Sequence, residues 1–217
     1  MKKSILTFLL ATATTFIFAQ TINFGVKAGV NLSTITSSDG TYHIDNKNTT
    51  GYHAGVIADI GFQQFSIQPG LFFITKGSSY PGLFADNTGN TAKMTTILKL
   101  NYLELPVNVL YKLQALPGVR IYLGGGPYLG YGLSGSWKYP NPSGPLGSYS
   151  HRNVSFGTDT LLDYKNPDYG INFITGVELK RRFTIDLNYS LGLGNIRWDQ
   201  AAKIRNRSMG ISLGYLF

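Results

Sequence analysis

From Phe183 onward the chain alternates with period two: Phe183, Ile185, Leu187, Tyr189, Leu191 and Leu193 share one parity, and Thr184, Asp186, Asn188, Ser190 and Gly192 the other. The final stretch repeats this, with Met209, Ile211, Leu213, Tyr215 and Phe217 set against Ser208, Gly210, Ser212 and Gly214. Successive side chains of a strand point to opposite faces, so each stretch predicts a strand with one apolar side. Near the start, Ile22, Phe24, Val26, Ala28, Val30 and Leu32 alternate with Asn23, Gly25, Lys27, Gly29 and Asn31, and Tyr52 to Phe62 follow the same rule. Further segments at about 65–76, 98–113, 119–133 and 169–180 bring the expected strands to about eight. The alternation weakens in the third to sixth strands, although Glu104, Asn108, Arg120, Asn172 and Glu178 keep the polar parity.

The predicted connections alternate as well. Short turns fall near 61–64, 114–118 and 181–182, and long Ser-, Asn- and Gly-rich segments at 34–49, 77–97, 135–168 and 194–206. Pro140, Pro142, Pro145 and Pro167 predict irregular backbone in the third long segment. Short turns at one end and long loops at the other are the asymmetry of a transmembrane barrel. The expected fold is therefore all-β: an eight-stranded antiparallel up-and-down transmembrane barrel with short periplasmic turns and long extracellular loops.

Alternation alone does not say which face points outward, since a soluble lipocalin-like binder of small molecules also alternates. Volume favours the membrane protein, because an eight-stranded interior holds only modest side chains and five or six large residues per strand would overfill it. The apolar parity then faces lipid, and Tyr52, Tyr111, Tyr131, Tyr189, Tyr215 and Phe217 on it suit aromatic girdles. The other parity places Lys27, Asp59, Glu104, Arg120, Glu178 and Asp186 in the lumen. Buried charges must pair, so a structural polar network that plugs the barrel is expected.

Composition adds the compartment. Residues 1–19 begin with Lys2 and Lys3, continue as an apolar run and end in Phe18-Ala19, the layout of a secretory signal peptide, which leaves 20–217 as the barrel domain. The chain has 217 residues, 43% hydrophobic and 14% charged, with no cysteine, so neither a disulfide framework nor a lipid-modified cysteine is available. The formal net charge of +8 favours anionic partners. Export and the scattering of the charges argue against nucleic acid. Arg197, Lys203, Arg205 and Arg207, around the last long loop, are placed to meet lipopolysaccharide phosphates, with a merely solvated basic loop as the alternative. Trp137, Tyr139 and Tyr149 in the third loop suit either adhesive anchors or a small core of the loop itself.

Several segments resemble the PorT-family and related outer-membrane β-barrel domains of Bacteroidetes-type bacteria: Tyr102-Leu103-Glu104-Leu105-Pro106, the Gly124-to-Gly130 run, Gly176-Val177-Glu178-Leu179, Tyr189 to Ile196, and the terminal Gly214-Tyr215-Leu216-Phe217. The resemblance implies a Gram-negative outer-membrane location and insertion by the barrel-assembly machinery, whose substrates usually end in an aromatic residue. One branch of that family serves a secretion and gliding apparatus.

Catalytic signatures are not found. His43, His53 and His151 are far apart, and no spacing suits a transition metal. Asp159, Asp163 and Asp168 match no calcium loop, and the glycine run lacks the Lys-Ser/Thr ending of a phosphate loop. The expectation is a monomer with no catalytic, cofactor-binding or metal residues and a structural or loop-mediated binding role. An outer-membrane enzyme acting on lipid or peptide is the alternative.

Overall fold

The computed structural model describes residues 20–38, 46–85, 89–141, 143–157, 163–198 and 203–217. The expected signal segment, His43, Pro142 and Asp159 lie outside the described residues. The described residues form eleven strands: β1 (Gln20–Ser38), β2 (Thr49–Phe62), β3 (Phe65–Ala85), β4 (Thr91–Leu116), β5 (Val119–Pro140), β6 (Tyr149–Val154), β7 (Phe156–Gly157), β8 (Tyr164–Lys165), β9 (Asp168–Leu179), β10 (Phe183–Gly192) and β11 (Lys203–Leu216). Eight of them close a ring, each antiparallel to its neighbours, in the order β1-β2-β3-β4-β5-β9-β10-β11, with β11 returning to β1.

The ring is inverted relative to a soluble protein. Phe24 is 64% exposed and Leu213 65%, and the rest of that parity is similarly open, whereas Lys27, Asp59 and Asp186 are buried inside. An exterior made of Ile22 to Leu32, Leu103 to Val109 and Met209 to Leu213 is stable only against hydrocarbon. This disposes of the lipocalin alternative. Aromatic side chains mark both rims of the band: Phe65 with Tyr111, and Phe183, Tyr215 and Phe217, at the end of the short turns; Tyr52 stacked on Phe73, with Tyr131, Tyr169 and Tyr189, at the other.

The short turns lie where the sequence predicts them. Gln63, Lys180 and Arg181 adopt left-handed backbone there, and Pro117-Gly118 has the positive φ at its second residue that a type II turn requires.

The long segments differ from expectation. The segment at 77–97 is mostly strand, because β3 continues to Ala85 and β4 begins at Thr91, paired throughout. Likewise β5 reaches Pro140 instead of stopping near 133, and β11 starts at Lys203. Their Ser, Gly and Lys content resembles loop sequence, yet above a membrane water solvates one face of a sheet and polar residues cost nothing there. A four-stranded sheet, β3-β4-β5-β6, therefore rises above the barrel. The irregular backbone expected across the prolines is confined to shorter stretches, since Pro140 ends β5 opposite Tyr149 and the cis Asn166–Pro167 bond leads directly into β9.

Candidate functional site

The lumen holds three groups of charges stacked along the barrel. At the short-turn end, Lys112 from β4 sits 2.6 Å from Asp59 and 3.1 Å from Glu178, and Arg120 from β5 pairs with the other oxygen of Glu178. In the middle, Lys27 from β1 reaches Asp186 of β10 at 2.7 Å and donates to Gln68 at 3.1 Å. Gln68 in turn donates to Asp59 at 3.4 Å, which joins the two groups. Towards the other end, Lys76 lies 2.6 Å from Glu104 and 3.4 Å from Asp168. Asn206 and the Tyr128 hydroxyl also donate to Asp168, and the Lys76 ammonium lies 4.3 Å from the centre of the Tyr128 ring.

The six lumen residues expected from sequence thus all point inward. Sequence reasoning missed Lys76, Lys112 and Asp168. Lys112 shares the parity of Glu104 and Asn108, so the signal was present; Lys76 stood at the end of a strand judged too short. Asp168 falls in the third long segment expected from sequence, but it is fully buried as the first residue of β9. Asp163 instead pairs with Arg152 and accepts from the Ser155 amide, so Asp163 and Asp168 do not converge. The interior is also not restricted to modest side chains, since Tyr102, Tyr122 and Tyr128 are buried in it, with lysine ammonium groups over their rings.

Around Lys76 and above it the lumen turns apolar. Ile35, Ile74, Leu98, Leu100 and Tyr102 from the ring meet Val154, Tyr164 and Ile196 from the connections, with Trp137 and Phe156 packed against them. Trp137 arrives there because the pairing of β4 with β5 shifts between Asn101 and Tyr102, which reverses the parity of β5 beyond Leu133. The third loop therefore folds over the barrel as a cap. Burial in it pushes the phenols of Tyr80 and Tyr164 up, so both stay neutral. Tyr139 and Tyr149 remain half-buried at its edge.

His53 is an inward hydrogen-bonding group, 2.7 Å from the Ser212 hydroxyl and 3.3 Å from Asn31 Oδ1. His151 is exposed on β6, remote from it in the fold. Outside, Lys203, Arg205 and Arg207 follow one another on the lipid-side parity of β11, directly above Met209. Arg197 is exposed on the connection before β11. Among the described residues, Asp163 is the one Asp or Glu outside the lumen, so the described part of the outer wall carries mostly basic charge.

Similar solved structures include Ail, the attachment invasion locus protein of Yersinia pestis, crystallised with the heparin analogue sucrose octasulfate (13% identity, 90% of this chain and 99% of that one, TM-score 0.42). Others are Neisserial surface protein A (17%, 89% and 95%, TM-score 0.45) and OprG from Pseudomonas aeruginosa (11%, 90% and 95%, TM-score 0.46). No curated protein matches the sequence. The family model described as outer membrane protein beta-barrel domain matches residues 18–197. With its apolar band turned outward and its charges inward, the chain belongs to this family of outer-membrane β-barrels and resides in the outer membrane of a Gram-negative bacterium.

Proposed function

We propose that this outer-membrane barrel is a sealed monomer without catalytic activity or cofactor, and that it works by binding at the cell surface. The observation that carries this reading is strand length. β3, β4 and β5 have 21, 26 and 22 residues, where about ten cross the hydrocarbon. The surplus forms an ordered sheet above the membrane with β6 as its outermost strand, a surface built for contact. The interior, by contrast, is crossed by ion pairs and closed above by the cap.

Two kinds of contact follow. Lys203, Arg205 and Arg207 stand at the height of the outer-leaflet headgroups, where each basic residue near an anionic surface contributes about 1 kcal/mol. They anchor the barrel among lipopolysaccharide phosphates, with Arg197 above them. The raised sheet engages a protein partner. Service in a secretion or gliding apparatus, as in the PorT branch, is a narrower form of this reading, and the barrel-assembly machinery is the partner during insertion. The enzymatic alternative, acting on lipid or peptide, has little support among the described residues: His53 is committed to lumen hydrogen bonds and His151 has no carboxylate bonded to it.

The test is to replace 80–95 and 138–150 with short turns. The shortened barrel is expected to stay heat-modifiable in the outer membrane while losing adhesion or assembly into a complex. Unchanged adhesion and assembly would reduce the protein to a structural barrel.

A further inference from the structure

Between the Lys27 and Lys76 groups the lumen contains a cavity of about 50 Å³. A single water needs roughly 10–15 Å³ on this measure, so there is room for several waters or for a small ion that keeps part of its hydration. Asn108, Asn172, Asn188 and Asp186 line it, and the Oδ1 atom of each is buried without a hydrogen-bond partner. Asn108, Asn172 and Asp186 are more than nine-tenths buried. The Lys27 ammonium also borders the cavity but is already held by Asp186 Oδ2 and Gln68 Oε1.

Backbone stands between Asn108 and Asn172. Gly126 of β5 faces Asn172 of β9 and packs against the Asn108 backbone of β4, and a Cβ there would collide with the Val107 carbonyl. No side chain can reach in from between the two asparagines to satisfy them.

Charge points the same way. Lys112 and Arg120 balance Asp59 and Glu178, and Lys27 balances Asp186. Lys76 alone faces both Glu104 and Asp168, and Glu104 borders the cavity. The described lumen therefore carries one uncompensated negative charge in a low-dielectric space, a costly arrangement. A proton on either carboxylate would cancel the charge and leave the amide oxygens unsatisfied. Water would satisfy the oxygens and leave the charge.

We propose that this cavity is a binding site for a small monovalent cation of the sodium or potassium class, coordinated by the Asn108, Asn172 and Asn188 side-chain oxygens and Asp186 Oδ1, and balancing the excess charge at Glu104. Three neutral oxygens and one carboxylate oxygen make a hard donor set of low charge, which suits a monovalent ion better than Ca²⁺, whose sites use several carboxylates.

The experiment is thermal unfolding of the full-length barrel in detergent, in sodium, potassium or N-methylglucamine chloride at constant ionic strength. A saturable rise in Tm with sodium or potassium is expected, about 4 °C at ten times the Kd, and none with the bulky cation. Equal Tm in all three salts would overturn the proposal. Glu104→Gln removes the excess charge and is expected to abolish the cation dependence; dependence retained at full size in that variant overturns the assignment to this cavity. The salt series on the unaltered protein decides the matter even where that variant does not fold.

Discussion

Removing Lys112 leaves Asp59 and Glu178 facing each other in the lumen with only Arg120 at the mouth. Breaking a buried pair on one side costs about 3–5 kcal/mol, so Lys112→Met is expected to lower the urea midpoint of the folded barrel strongly. Lys203→Met, on the outer wall, is expected to stay within about 0.5 kcal/mol in the same detergent titration. The opposite face obeys the opposite rule. Leu213 pairs with Ala28 and Ile185 near the middle of the apolar band, so Leu213→Arg is expected to cost about 2–4 kcal/mol in lipid, against about 0–1 for Met209→Arg near the rim. Refolding into vesicles measures both. At this scale parity made most of the lumen legible from sequence, down to Lys27 and Glu178. It failed at Lys76 and Asp168, where knowing a residue's face required knowing how far its strand extended.

Strand extent was the weak point of the sequence reading, for a definite reason. Within the membrane, lipid on one side and a crowded lumen on the other impose apolar-polar alternation. Above it, β3 to β5 have water outside and an apolar cap inside, and stretches such as Gly77-Ser78-Ser79-Tyr80 resemble loop. The weakened alternation of the third and fourth strands has the same origin, because Ile74, Leu98 and Leu100 are apolar residues on the inward parity. The bulge near Leu133, which turns Trp137 towards the cap, has no signature in hydropathy at all. Leu98 is fully buried at the centre of the cap, so Leu98→Ala is expected to cost about 2–5 kcal/mol locally. Amide exchange should quicken in β6 and the upper parts of β4 and β5 while the β1–β11 pairing keeps its protection. Uniform loss of protection would mean that cap and ring unfold as one unit.

For the molecule as a whole, eight strands, their order and the inside-out polarity were all available from alternation and turn spacing; the cap and the lumen cavity were not, since both depend on which strands meet across the ring. A ring closed by ion pairs and topped by a cap is expected to show no large, stable conductance in planar bilayers, and steady channel openings would contradict it. The unboiled protein is expected to migrate faster than the boiled one on a denaturing gel. The ion pair between Lys27 and Asp186 spans β11, passing over Gly214, where a Cβ would meet the Lys27 side chain and the Thr184 hydroxyl. If the first and last strands closed two residues out of step, every greasy side chain would still face lipid, and the bilayer would accept the mistake. The lysine and the aspartate, however, would be displaced by roughly 7 Å. Lipid distinguishes only the two sides of a strand; this interior contact distinguishes one alignment of the seam from the next, and so checks that the cylinder has been joined at the right place.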